Sequence, residues 1–500
     1  MKYSPTRAEF HEKCRQGNLI PVWREVLADT ETPVSAFYQI AYGRPYGFLL
    51  ESVEGGERLA RYSFIGTEPF ITFRSKGLTA TVEQDLHSET FDLEAGRRDP
   101  LDVVKEILCR YTYVSAPELP RFVGGAVGMI GYDTVRFFET LPDLNPDDVG
   151  IDDCIFLFTD AMVVFDHVKH RLLVLCNARI DGEGDVDAAY DRAIAKIDEL
   201  LGRLRGPAVH PEPREVLPET KRGEFLSNFT QPQYEEAVRK TKEYIAAGDT
   251  FQAQIARRAH KKLHADPFDV YRALRSINPS PYMFYLAFDD VKLIGASPEV
   301  LVSEVDGVVT IRPIAGTRPR TGNPEDDERL STELLADQKE RAEHVMLVDL
   351  GRNDIGRVAK YGTVRVEELM VIEKYSHVLH IVSDVKGELR DDLDQFDVLR
   401  ASFPAGTLTG APKVRTMEII EELEPVRRGF YGGGIGYFSY SGNMDSCITI
   451  RTALVKGDTI YIQAAAGIVA DSDPSYEYRE TVAKMRGIAR AIEWAEAGLD

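Results

Sequence analysis

Along the chain, apolar and polar positions alternate in short runs that predict strands interleaved with amphipathic helices. At Thr250–Ala256, Phe251, Ala253 and Ile255 alternate with Gln252 and Gln254, the period of a half-buried strand. The apolar runs Phe156–Phe165 and Leu172–Cys176 predict further strands. A helix is predicted at Ala188–Leu204. Thr230-Gln-Pro-Gln opens another, with Pro232 in its first turn, Ala237, Thr241, Tyr244 and Ile245 at helical spacing, and Gly248 as its stop. Leu330–Leu350 predicts a long helix with Leu330, Leu334, Ala342, Val345 and Leu347 toward a core, and Ser475–Trp494 another with a stripe of Tyr478, Val482, Met485, Ala489 and Ile492. Helices mixed with alternating strands predict an α+β fold with antiparallel sheets.

One break in composition organises this pattern. Pro207, Pro211, Pro213 and Pro218 stand among charges, so residues 206–228 are expected to be an exposed linker between an N-terminal domain, 1–205, and a catalytic domain, 229–500. Two glycine-rich segments, Gly124–Gly131 and Gly432–Phe438, resemble each other and hint at related halves. A strand-like Tyr437-Phe-Ser follows the second, where a dinucleotide loop would need a helix, so nucleotide binding is not expected.

The chain has 500 residues and a formal net charge of −21, which opposes phosphate and predicts neither a nucleic-acid nor a membrane partner. The five cysteines form no C-x-x-C pair, as in a reducing compartment. No apolar run approaches the ~20 residues that span a bilayer. The polar start, Met1–Glu12, has no apolar signal core. A cytoplasmic protein is the expectation.

The candidate chemistry is carboxylate. Glu340 and Glu343 lie three apart on one predicted helix, and Glu477 and Glu480 three apart on another, sharing a face other than the apolar stripe. Two such pairs could clamp a hard divalent cation, or be solvated, with Glu480 paired to Lys484. Arg451, in the alternating run Cys447–Leu454, could hold a carboxylate or simply form a strand-face ion pair. His380 could be a general acid or base, or structural.

Longer strings go further. Pro279-Ser-Pro-Tyr-Met-Phe-Tyr285, Ala296-Ser-Pro-Glu299, Arg312-Pro-Ile-Ala-Gly-Thr-Arg-Pro-Arg320, Glu343–Asp354, Phe403–Lys413 and Gly429–Tyr437, with Leu49–Ser52 and Ala60–Gly66 more thinly, resemble the chorismate-utilising enzyme family and its anthranilate-forming branch. The resemblance implies that family's fold, antiparallel sheets packed as a sandwich with helices outside. It implies a lyase of tryptophan biosynthesis that turns chorismate and ammonia into anthranilate and pyruvate, the ammonia being channelled from a glutamine amidotransferase subunit of a hetero-oligomer. No nucleophile-elbow Gly-x-Cys-x-Gly is present in this chain to supply it.

By the same resemblance Glu340, Glu343, Glu477 and Glu480 hold Mg²⁺. Gly316, Thr317, Tyr431, Arg451, Ala465, Ala466, Gly467 and Lys484 line the chorismate pocket. Glu299 is the acid that protonates the leaving hydroxyl, and His380 is associated with the elimination. Gln252 stands where water-activating relatives carry Lys, and Ala315 where aminodeoxychorismate-forming relatives, the alternative, carry Lys. Ala465 departs from the family's usual Gly. Leu50, Glu51, Ser52, Pro281, Tyr282 and Met283 match a site at which L-tryptophan inhibits.

Overall fold

The computed structural model describes residues 2–52, 61–85, 87–93, 98–180, 184–206, 216, 218, 220, 222–375 and 378–499. Most of the expected linker lies outside the described residues. The strands form two antiparallel sheets of 12 strands each, and each sheet takes strands from both sides of that linker. In the first sheet the seam is Tyr46–Glu51 against Tyr282–Phe288, with Met283 opposite Glu51. In the second it is Gly125–Ile130 against Gly434–Ser439. The two glycine-rich segments are therefore partners across a seam. Their glycines are required by backbone contact: a Cβ on Gly128 would sit 1.9 Å from the Ile155 carbonyl oxygen, and one on Gly436 2.1 Å from that of Asp445.

The apolar pattern explains the layering. Phe284, Leu286 and Phe288 face the core between the sheets, where they join Phe73, Val127 and Phe438 of the second sheet. Met283, Tyr285 and Ala287 alternate with them toward a second core. That core lies under the helices Pro33–Ile40, Val186–Leu204, Pro267–Ile277 and Pro474–Glu496. A strand buried on both faces reads as an unbroken apolar run. The result is the expected sandwich with helices outside. Among the described residues no helix is long and apolar enough to cross a membrane.

Several predicted elements shift. Phe156–Phe165 is two strands, Cys154–Thr159 and Ala161–Asp166, in different sheets. The strand predicted at Thr250–Ala256 spans Gln252–Lys262, and Phe251 lies outside it, 74% exposed. The helix predicted over Leu330–Leu350 is two, Pro324–Ala336 and Gln338–Gly356, divided at Asp337, which ends the first and caps the second. The division turns the second helix, so Leu347 is buried as expected but Ala342 and Val345 are exposed, with His344 and Val348 buried in their place. In Pro474–Glu496 the buried row runs through Glu477, Thr481, Met485, Ile488 and Ile492, leaving Val482 outside. Polar side chains occupy part of the inward face, which an apolar count cannot anticipate.

The run Cys447–Leu454 is likewise not one strand. Met444–Ile448 belongs to the second sheet and Thr452–Lys456 to the first, and Arg451 sits at the crossing with a left-handed φ of 50°. The chain crosses in the opposite sense between Val291–Ser297 and Val300–Val305, with Glu299 at that crossing. The crossings lie side by side: the Ile448 N–H donates to the Glu299 carbonyl at 3.0 Å, and the Ala296 N–H to the Arg451 carbonyl at 3.1 Å.

Because the seam strands leave no room for a Cβ, Gly436→Ala is expected to lower stability by at least ~2 kcal/mol, read from the urea midpoint. Unchanged stability would contradict the seam.

Candidate functional site

The paired crossings put an acid beside a base of permanent charge. Glu299 is 8% exposed. Burial pushes its carboxyl up to about 7, against the opposing influence of Thr407, Arg451 and Lys484. The Thr407 hydroxyl faces this carboxyl, yet its oxygen meets no partner at hydrogen-bond geometry, so the contact is a long one. Burial holds the Arg451 guanidinium below its ordinary range, although Tyr431, Glu480 and Glu299 favour its charge. A positive φ on a half-buried non-glycine residue is strain of the kind that marks functional sites.

A peptide of Thr459–Ile468 links the next residues. The Lys484 ammonium donates to the Ala465 carbonyl at 2.9 Å, and the Ala465 N–H supports the Tyr431 hydroxyl, which burial pushes up to about 12. The Ala465 methyl, where the family usually has hydrogen, is 2% exposed and packs into the core between the sheets. The Ala466 side chain points the other way, into a cluster with Tyr234 and Ile255, so only its backbone is available to a ligand. Gly467 keeps the other face open to Gln252, whose amide nitrogen lies 2.6 Å from where a Cβ would be.

His380 is positioned by the strand pair Ile314–Pro319 and Val378–Glu388. Its Nδ1 lies 2.8 Å from the Gly316 carbonyl and 3.2 Å from the Thr317 hydroxyl. A carbonyl only accepts, so Nδ1 carries the hydrogen and Nε2 of the neutral ring is the proton acceptor. Burial lowers the affinity of this imidazole for a second proton, and the Arg451 charge adds to that. Gly316 has a φ of 66°, and a Cβ there would meet Glu340 Oε2 at 3.2 Å.

The four glutamates converge on this region. Gln338–Gly356 carries Glu340 and Glu343 in its first turns and Pro474–Glu496 carries Glu477 and Glu480. Glu343 accepts from the Gln252 amide at 3.2 Å, Glu340 pairs with Arg318 at 3.3 Å, and Glu480 with Lys484 at 2.6 Å. Burial raises Glu343 and Glu477, each also pushed by the second glutamate of its pair, and both feel Lys339 and Lys484. The two pairs thus share one field. Contrary to the expectation of a face apart from the apolar stripe, Glu477 lies on the buried row, 5% exposed. Among the described residues no three acidic or imidazole groups are gathered at metal-ligand spacing. The donor set nonetheless suits a hard ion such as Mg²⁺: it offers carboxylate oxygens only, and Glu343, half-buried, and Glu477, buried, are both raised by loss of water.

Sequence reasoning missed Thr407, Arg318 and Lys339 as neighbours of these groups. Thr407 lay inside a recognised string, but nothing in its spacing pointed to Glu299.

A far larger cavity than the one at this cluster has a different lining. The open space beside Glu299 is only about 30 Å³, and the side-chain chemistry, not volume, locates the site. The large cavity, about 1580 Å³, is lined by all six residues of the expected effector site, Leu50, Glu51, Ser52, Pro281, Tyr282 and Met283. In its wall the Tyr282 hydroxyl donates to Asp445 at 2.9 Å; burial pushes Asp445 up to about 6. Glu51 accepts from Arg275 at 2.9 and 3.1 Å, and also from the Tyr271 hydroxyl.

The chorismate binding enzyme family model matches residues 57–490. Anthranilate synthase component 1 of Acetivibrio thermocellus is 47% identical over 99% of this chain and 99% of its own length, and that of Aquifex aeolicus 47% identical over 96% of each. The crystal structure of anthranilate synthase component I from Streptococcus pneumoniae superposes with a TM-score of 0.76 at 35% identity, covering 93% of this chain and 99% of that one. The menaquinone-specific isochorismate synthase of Escherichia coli shares the fold, with a TM-score of 0.70 at 18% identity and coverage of 97% and 98%.

A carboxyl whose folded pKa is about 7 binds a proton more tightly folded than unfolded. Its stabilisation is complete below the unfolded value and lost as pH rises through 7. Relative to Glu299→Gln, the wild type is expected to lose roughly 3 kcal/mol between pH 4 and pH 8 in urea titrations. A difference independent of pH would contradict the assignment.

Proposed function

The chain belongs to the chorismate binding enzymes, and from that premise we propose that it forms anthranilate and pyruvate from chorismate and ammonia, a lyase step in tryptophan biosynthesis. The observation that carries the reading is Glu299, a buried carboxyl held near neutrality in pKa beside the Arg451 and Lys484 cations. Chorismate is a dianion, and in a protein of net charge −21 its carboxylates need cations supplied locally.

The proposed chemistry has two steps. Ammonia adds at ring C2, and the C4 hydroxyl, protonated by Glu299, leaves as water. The C2 hydrogen then leaves as a proton, the bond from the ring to the enolpyruvyl oxygen breaks, and the enolate that departs from the aromatised ring takes a proton at its methylene carbon to become pyruvate. His380, fixed by Gly316 with Nε2 free to accept, suits the proton removal. Gln252, held by Glu343, cannot deprotonate water and so favours ammonia as the nucleophile. Tyr431, Thr317 and the backbone at Gly316 and Ala465–Gly467 position the substrate. Glu340, Glu343, Glu477 and Glu480 would hold Mg²⁺, which when bound offsets the negative charge of a substrate carboxylate.

The large cavity is proposed to bind L-tryptophan as a feedback inhibitor. A glutamine amidotransferase subunit is proposed to supply ammonia, in a hetero-oligomer operating in the cytoplasm.

With free ammonium and Mg²⁺ the chain alone is expected to convert chorismate to anthranilate, followed by fluorescence. Glu299→Gln should lower kcat by roughly 10²–10⁴-fold without comparable loss of substrate binding. Absence of product from the wild type would overturn the reading, and accumulation of aminodeoxychorismate would redirect it to the alternative. Ser52→Phe should fill the mouth of the cavity, preserving kcat while raising the tryptophan needed for half-inhibition by more than about tenfold. Retained inhibition would remove the effector from that cavity.

A further inference from the structure

Behind Glu51 lies a second cavity, of about 390 Å³, which the catalytic reading does not use. It opens between the segment around Glu31 and Thr32 and the turn Asp166–His170, with Arg275 in its wall. Its charged groups differ in what they have left to offer. Both carboxylates already accept hydrogen bonds. Asp166 accepts from Arg61 at 2.9 Å and from the amides of Val168 and Lys169 at 3.1 and 3.0 Å. Glu31 accepts from the Ser35 hydroxyl at 2.7 Å. The donors are not exhausted. Arg275 directs two N–H groups at Glu51, and a guanidinium has five. His167 uses one ring nitrogen, on Ser63 at 2.7 Å, and the His170 ring makes no hydrogen bond among the described residues. His167 lies within electrostatic reach of His170, Arg275, Asp166 and Glu51.

Two ties run from this cavity to Glu51. One is the direct ion pair with Arg275. The other passes from His167 to the Ser63 hydroxyl, which lies 3.5 Å from Glu51 Oε1. Glu51 is one of the carboxylates that line the large cavity, and in this structure Arg275 and Tyr271 neutralise and occupy it.

We propose that the smaller cavity binds a small oxyanion, a phosphate or the phosphoryl group of a phosphate monoester, through Arg275, His167 and His170, and that its binding draws Arg275 from Glu51. A freed Glu51 carboxylate then faces the large cavity, where it can accept from an ammonium group. Anion in one cavity and amino acid in the other therefore bind with positive coupling, and by linkage each tightens the other equally. The anion site stands on its own geometry; the coupling rests on the reading of the large cavity as a tryptophan site.

The test uses the full chain and calorimetric titration with inorganic phosphate and, separately, glycerol 3-phosphate, at constant ionic strength set with chloride. Saturable binding of one equivalent is expected, the tighter of the two probes telling free phosphate from monoester. His170→Asn, which keeps a residue tolerant of the left-handed φ of 51° found there, and Arg275→Gln should each weaken binding by about tenfold, the loss of one charge-assisted hydrogen bond. Saturating phosphate should tighten tryptophan binding to the wild type by more than about fivefold, but not to Arg275→Gln. Absence of saturable phosphate binding, or binding unaltered in both variants, would overturn the site. Phosphate binding with unchanged tryptophan affinity would overturn the coupling. Phosphate binding with no tryptophan binding at all would leave the anion site standing and defeat the reading of the large cavity instead.

Discussion

The site depends on two chain segments crossing between the sheets in opposite senses and hydrogen-bonding where they pass. One crossing carries Glu299 and the other Arg451, and their mutual backbone bonds fix the two side chains against each other. Each flanking strand is locked into a different sheet, so neither side chain can move far without breaking sheet register. The left-handed φ at Arg451 is the local strain of this crossing, and the large core on both sides is what holds it.

Around that point the protein manages charge by burial. Glu299, Glu343 and Glu477 are all raised by loss of water rather than mainly by one another. Cations enter singly: Arg451 at the crossing, Lys484 on the C-terminal helix, Lys339 and Arg318 near the other glutamate pair. An acid able to give a proton, an imidazole with one nitrogen fixed and the other free, and an excess of carboxylate oxygens suit an anionic substrate that arrives with a divalent cation. The larger cavity is separate in position but not in chain: Asp445 and Cys447 line it on the strand that leads to Arg451.

Much of this was legible in the residues, and the exceptions have physical causes. The helices that carry the glutamates and the strand at Leu172–Cys176 follow from apolar periodicity. The division at Asp337 was hidden because the apolar residues on either side continue one helical count, while the break comes from capping. The inward turn of Glu477 and Thr481 was hidden because polar residues were assigned to solvent. The crossings were the deepest omission. Cys447–Leu454 alternates as one strand does, and only the pairing of its two ends with different sheets reveals the turn at Arg451. The glycine-rich segments were noticed as alike, but their pairing is a long-range fact that similarity alone does not convey. The site residues themselves were identified through family resemblance, since spacing left solvated glutamates and a structural histidine as open readings.

The crossing raises the Glu299 carboxyl to a midpoint of about 7, so that a large share of it still carries its proton at neutral pH. Carboxyl-labelled glutamate NMR, with the Glu299 signal identified by its loss in Glu299→Gln, tests this without reference to turnover. A titration midpoint near 7 that falls when Thr407 is kept and the burial is opened by Ile448→Ala is the predicted result. A midpoint near the ordinary glutamate value of about 4.3 in the wild type would contradict the account.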